Sequence, residues 1–252
     1  MNIDTITIGR LALAFIPMAA VLAIMTYWHC RVGRALYATG RMLLQLLLIG
    51  YVLVYIFDTE SALLVSGVLA VMVVAAGWIA LNTTDLPTLS LFPASLIAVF
   101  IGGGVTMVVV TQGVLALEPW YTPSVVIPLA GMIFAASMTN ISLAIERLVA
   151  ELDNGRGFTR ARDIAFRTSM IPVINSFFAV GLISLPGMMT GQILSGVSPL
   201  IAARYQVMVM CMIFGAAGLS TACFLVLIQR SEPFKARLSE GATAATDGAG
   251  QS

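Results

Sequence analysis

The chain alternates long apolar runs with short polar stretches, and no run shows the period-two alternation of a membrane barrel strand. Seven runs stand out: Leu11–Trp28, Met42–Phe57, Ala62–Leu81, Leu91–Val110, Ser124–Ile145, Ile171–Gly191 and Ala203–Ile228. Each approaches the ~20 residues that a tilted helix needs to cross a ~30 Å hydrocarbon layer. The second run is short and borrows turns from Gly40 and Arg41. A segment inside the bilayer must satisfy its own backbone hydrogen bonds, so the pattern predicts an all-α, polytopic integral membrane protein of about seven helices. The residues before the first run, Met1-Asn2-Ile3-Asp4, lack the basic start of a secretory signal. No small-residue cleavage site follows Trp28, so this run is expected to remain as a helix.

Composition sharpens this picture. Of 252 residues, 59% are hydrophobic and 10% are charged, with a mean hydropathy of +0.98. A soluble domain carries about 25% charged residues. Soluble enzymes, disordered regulators and nucleic-acid binders are thereby excluded. The placement of the basic residues predicts orientation, because they concentrate on the cytoplasmic side. Arg31, Arg34 and Arg41 follow the first run. Arg147, Arg156, Arg160, Arg162 and Arg167 follow the fifth, and Arg230, Lys235 and Arg237 follow the last. Placing these inside leaves only Arg10 and Arg204 outside. The N-terminus is therefore expected outside and the C-terminus inside, with an odd number of crossings. Trp120 and Tyr121 then read as outer interfacial anchors, and Trp28 and His29 as inner ones. Residues 1–230 form one expected transmembrane domain with a cytoplasmic loop at 146–170. The Gly-, Ala-, Thr- and Ser-rich tail, 231–252, is expected to be disordered. Cys30, Cys211 and Cys223 show no paired spacing and read as small apolar residues.

No Asp, Glu, Lys or Arg falls in the middle of a run, and the one histidine, His29, sits at a run's end. Proton relays and voltage sensors need such groups, and an intramembrane hydrolase needs an acid/base pair. What remains is neutral and polarizable: Gln45, Asn140, Asn175 and Gln192, with Met132, Met138, Met188 and Met189 among the clustered methionines. Two readings stay open for each. Amides serve interhelical hydrogen bonding or a weak cation path, and thioethers serve adaptable packing or the same path. Pro186-Gly187 is expected to break the sixth helix by removing a hydrogen bond and clashing with the Leu182 carbonyl. Such a break serves either packing or a substrate-lined cavity. Gly187 and Gly191 form a GxxxG pair that admits another helix backbone.

The Glu146–Ser169 loop mixes five arginines with four acidic residues. From Phe158, apolar residues fall close to one helical face, and Pro172 suits the first turn of the next helix. The loop is either a solvated linker or a short helix over Gly155–Phe166 that docks on a cytosolic partner. Its candidate contacts are Arg156, Phe158, Arg160, Arg162 and Phe166. A Walker A loop needs GxxxxGK[ST], and the only lysine lies in SEPFKAR, so the chain carries no such loop and is read as a transport subunit, not an enzyme.

Three strings carry a resemblance. They are GRMLLQLLLIGYVLVYIF (Gly40–Phe57), VIPLAGMI (Val126–Ile133) and GLISLPGMMTGQILSGVSPLIAARYQVMV (Gly181–Val209). Together they resemble the permease subunit of the Fet-type iron-export ABC transporters, a family that includes the plant aluminium-sensitive proteins. The resemblance covers most of Gly40–Arg230. It implies a homodimeric permease in the bilayer, placed in the bacterial inner membrane. It also implies a separate ATP-binding subunit that holds the ATP, no cofactor on this chain, no nucleic-acid partner, and export of an iron-like metal. One departure stands out. The family's Leu-Gly-Ala string is absent from VAELDNGRGFTRARDIAF, and the fifth loop is shorter by about a dozen residues. The competing reading, from another class, is a membrane-embedded regulatory or scaffold protein without ATPase coupling. Thioethers prefer soft ions such as Cu(I), whereas iron prefers oxygen or nitrogen ligands, so the methionines do not themselves select iron.

Overall fold

A computed structural model describes residues 7–57, 61–82 and 86–229. Asp58, Glu60, Arg230, Lys235, Arg237 and the tail expected to be disordered lie outside the described residues. Among the described residues the regular structure is helical, apart from one isolated bridge between Val180 and Ser184. The chain divides into two compact units, Met1–Asp58 and Thr59–Ser252.

The first unit holds α1 (Ile8–Leu13), α2 (Phe15–Tyr27) and α3 (Val32–Phe57). The first apolar run is thus broken at Ala14. Pro17 explains the position, since it has no N–H to offer the Leu13 carbonyl four residues back. α2 ends as His29 turns left-handed (φ 57°) and the Cys30 N–H reaches back to Met25 O at 2.8 Å. α3 starts ten residues before the predicted run. Arg34 and Arg41, expected in a loop, are therefore exposed helical residues. Hydropathy marked where the helix becomes apolar rather than where it begins.

The second unit holds α4 (Ala62–Ile79), α5 (Thr88–Val108), α6 (Pro123–Asp153), α7 (Phe158–Ala179), α8 (Gly187–Leu194) and α9 (Pro199–Ile228). A π-helical turn, Val109–Val114, continues α5. Among the described residues, six stretches are long and apolar enough to cross a membrane. They correspond to every predicted run except Ile171–Gly191.

That run is corrected. α7 begins at Phe158, in the predicted loop, and passes straight through Pro172, which was expected to start a helix. α7 then stops at Ala179, seven residues before Pro186. Val180 is extended (φ −66°, ψ 131°) and Gly181 is left-handed (φ 83°). The Ala179 carbonyl accepts N–H groups from Leu182, Ile183 and Ser184 at 3.3, 2.8 and 3.1 Å. Pro186 is the N-cap of α8, so it fixes the start of a new helix and does not cause the break.

The core lies where α5, α6 and α9 meet. Lipid offers no hydrophobic drive for helices to associate, so close packing and hydroxyl bonds must hold them together. Gly102 on α5 sits against Ser220 on α9. A Cβ there would collide with the Ser220 backbone nitrogen and lie 2.7 Å from its Cα. Ser220 Oγ donates to Ser137 Oγ on α6 at 2.9 Å, and Ser137 is shared between Ile133 O and Ala216 O. α4 is tied on by Ser95 Oγ to Gly77 O (2.9 Å) and Ser142 Oγ to Ala80 O (2.8 Å).

Gly102→Ala is expected to lower stability by about 1–3 kcal/mol, because a backbone clash is not relieved by a rotamer change. Gly104, with nothing within 4 Å of a Cβ, should accept Ala within about 0.5 kcal/mol. Thermal unfolding of both variants in detergent checks the pair.

Candidate substrate pathway and coupling hairpin

α6 and α7 form an antiparallel hairpin joined by Asn154–Gly157. With 31 residues, α6 is about 46 Å long, against a ~30 Å hydrocarbon layer. It is thus longer than that layer is thick, and its charged residues all fall in its last two turns, Glu146–Asp153. At the tip, Gly155 is left-handed (φ 75°). Its N–H donates to Leu152 O at 2.9 Å, and the Arg156 N–H donates to Glu151 O at 3.1 Å. Such helix ends usually carry an apolar contact between the two residues that here are Glu151 and Arg156. In this hairpin an ion pair replaces it. Arg156 Nη1 lies 2.7 Å from Glu151 Oε2, and Arg147, one turn earlier on α6, pairs with Oε1. The carboxylate is 1% exposed, while both guanidinium groups are half-exposed. Glu151 thus fastens the end of α6 to the turn. Sequence reasoning did not single it out, although its spacing from Arg147 (i, i+4) was a readable signal.

The expected docking face is redrawn by this hairpin. Phe158, expected to lead a surface toward a partner, is buried in the apolar core, and Phe166 packs partly against it. Ala161 and Ala165 are fully buried between them in sequence. The apolar face of this helix closes the hairpin on α6. Arg156 and Arg160 are exposed, and Arg162 is occupied by Asp163 (Nη2 to Oδ1, 2.8 Å).

The pathway candidates lie on α3, α6, α7 and α8. Gln45 is exposed on α3, in the first unit. In the second, Met132, Met138 and Met188 pack partly buried against the main core, and Met189 is half-buried on α8. Asn175 is exposed on α7. Asn140 is 3% exposed; its Nδ2 donates to Ala136 O at 3.0 Å, and its Oδ1 has no partner. Gln192 Oε1 on α8 is also buried and unpartnered, as are Gln206 Oε1 and Thr221 Oγ1 on α9, which were not singled out as site residues. Among the described residues, no three His, Cys, Asp or Glu side chains come together to hold a metal.

The α7–α8 break begins at Ala179, 21 residues along α7 from the hairpin tip. Gly181–Leu185 are exposed there, with Leu182 at 91%, and Gly187 and Gly191 have nothing within 4 Å of a Cβ.

The long apolar helices are those of a polytopic membrane protein, and comparison with known proteins agrees. The chain belongs to the family described as "Uncharacterised protein family (UPF0014)", whose pattern matches residues 8–162 and 157–232. The two matched pieces meet at the start of α7, within the stretch that departs from the resembled family. The chain is 35% identical over 245 residues to the "Probable iron export permease protein FetB" of Escherichia coli, covering 89% of this chain and 92% of that one. It is 33% identical to "Protein ALUMINUM SENSITIVE 3" of Arabidopsis thaliana over 75% of this chain and 73% of that one. It is also 33% identical to "UPF0014 membrane protein YjkA" of Bacillus subtilis, covering 75% and 80%. No solved structure gives a significant match.

Three outcomes check this geometry. Glu151→Gln should cost about 1–2 kcal/mol, less than a fully buried pair because the guanidinium groups are half in water. An unchanged unfolding midpoint contradicts the clamp. Pro186→Ala should leave helical content by circular dichroism unchanged, since α7 has already ended. Gly181→Val should instead lower the unfolding midpoint, because a β-branched residue is strained at that φ.

Proposed function

We propose that this chain is the membrane-spanning permease subunit of an ABC-type transporter that exports an iron-like metal ion, driven by a separate ATP-binding subunit. The observation that carries the proposal is similarity to a protein named a probable iron export permease along nearly the whole of both chains. In this reading the chain sits in a bacterial inner membrane with its N-terminus outside, and works as two copies with two ATP-binding subunits. α7 and α8 together make the sixth crossing, which keeps the number of crossings odd.

Two structural features support the reading. The first is the hairpin tip, which follows the charged end of α6 and is fixed by Glu151. It offers the exposed Arg160 to a cytosolic partner, while Arg156 is held by Glu151, and Phe158 and Phe166 hold the hairpin closed from within. The second is the break at Val180–Pro186. Irregular backbone at membrane depth is tolerated only where protein covers it or water lines it. This chain leaves Gly181–Leu185 exposed. The second copy, or an aqueous path between the copies, meets that requirement. Asn140 Oδ1 and Gln192 Oε1, buried and unpartnered, are neutral oxygens suited to a harder ion than thioethers would select.

Expressed in Escherichia coli cells that lack FetB and are loaded with iron, the chain should lower cell-associated iron. Purification from its native membranes should bring an ATP-binding subunit with it. Unchanged iron content overturns the substrate assignment. Export with no ATP-binding subunit in the preparation overturns the energy source. Topology is checked separately by cysteine labelling in a background free of the three native cysteines. An outside reagent should reach residue 118 and miss residue 160, and the reverse pattern inverts the orientation.

A further inference from the structure

Within the second unit, α4 and α5 are held tightly at one end and part toward the other. Ser95 Oγ bonds Gly77 O at 2.9 Å, a Cβ on Gly77 would lie 3.3 Å from Leu96 Cα, and Trp78 stacks edge-on against Phe92. From there the antiparallel register carries α4 back through Val74 and Ala70 to Ser66, and α5 forward through Gly104 to the π-helical turn. Between them lies a cavity of 1360 Å³. Its walls are apolar along their length, and Gly104 and Ala70 leave space on opposite sides. Its polar lining residues, Ser66, Thr111 and Gln112, gather at the open end, where Trp120 closes over it.

The chemistry of that mouth is specific. Thr111 Oγ1 is spent on Met107 O at 2.9 Å, which leaves the Gln112 amide, the Ser66 hydroxyl and the Trp120 indole N–H. The Leu117 N–H donates to Thr111 O at 3.0 Å, folding the following segment back over the π-turn. Glu118, two residues before Trp120, is exposed and is the charged residue nearest in sequence to that lining tryptophan. No basic residue lines the cavity. The result is an apolar cleft with neutral hydrogen-bonding groups at its mouth and an exposed carboxylate two residues from Trp120. Interfacial aromatic residues sit at headgroup level.

We propose that this cleft is a binding site for a zwitterionic phospholipid, with acyl chains between α4 and α5 and an ethanolamine-type headgroup at the mouth. The lipid's ammonium group faces the Glu118 carboxylate, and Gln112 and Trp120 donate to its phosphate. An anionic headgroup would meet that carboxylate with no cation to offset it. The site is independent of the transport reading, since nothing in it involves the hairpin, the break or a metal.

The full-length chain is reconstituted in vesicles of equal palmitoyl-oleoyl phosphatidylethanolamine and palmitoyl-oleoyl phosphatidylglycerol, re-extracted, and analysed by native mass spectrometry. Phosphatidylethanolamine should remain bound through detergent washing. Gly104→Phe, which meets open space, and Ala70→Phe from the opposite wall should each reduce retention about tenfold with unfolding midpoints unchanged. Glu118→Gln should keep a bound lipid but erase the preference for phosphatidylethanolamine. Retention unaltered by both filling variants, preference for phosphatidylglycerol, or no retained lipid overturns the proposal. So does loss of self-association in the filling variants without loss of lipid, which assigns the cleft to a second copy.

Discussion

The approach of α5 to α9 at Gly102 and Ser220 is the constraint on which the second unit depends. Inside a bilayer the apolar surface of a helix is already content with lipid, so burial alone does not select one neighbour over another. Backbone proximity does, because it multiplies dispersion contacts and lets hydroxyls reach across. With no side chain at Gly102, α9 comes close enough for Ser220 to bond Ser137, and α6 is drawn to the same point. Gly103 extends the seam, since a Cβ there would lie 2.9 Å from the Phe134 ring. These three helices make the frame, and α4, α7 and α8 are hung on it.

The frame dictates where irregularity is tolerated. α6 is long and continuous because it serves both the seam and the hairpin with α7. α7 follows it back only as far as Ala179, then breaks where the three-helix seam no longer needs it. α5 ends in a π-turn, which re-aims Gln112 and Thr111 instead of capping the helix cleanly; such turns recur at functional positions. The two irregular segments therefore sit on different parts of the unit and have different chemistry. One presents exposed backbone and small residues, and the other presents a polar rim above an apolar cleft. The proposed transport path and the proposed lipid site can be separated by mutation for that reason.

Much of the architecture was legible in the sequence. Ala62–Leu81 coincides with α4 to within two residues, and Ala203–Ile228 differs from α9 only at its start. Hydropathy served well there because each helix is apolar to its ends. It failed for α3 and α7, whose helical geometry runs on through Arg-rich segments that a transfer scale counts as loop. Pro172 misled because proline is read as a boundary, yet neighbouring helices can satisfy the Thr168 carbonyl it frees. Pro186 marked the right neighbourhood for a break and the wrong cause. The left-handed turn at Gly181 carries the break, and glycine in an apolar string gives little warning of its φ. Phe158 lay on the predicted helical face, but a face says nothing about which neighbour it meets. The buried Glu151 clamp and the α4–α5 cleft arise from contacts distant in sequence, and pattern alone does not reach them.

The site is less complete than the fold. Asn140, Gln192, Gln206 and Thr221 each bury an oxygen without a partner, and a buried polar group left unpaired costs stability. A chain that retains several is organised for something other than maximal stability, and the proposed transport path would give these oxygens a use. The most direct test is flux. Purified chain with its ATP-binding subunit, reconstituted in proteoliposomes, should move iron across the membrane only when ATP is supplied on the hairpin side. The asparagine-to-leucine change at Asn140 should then slow that flux without loss of ATPase binding. Iron movement that is indifferent to ATP, or absent from an intact complex, would contradict the account.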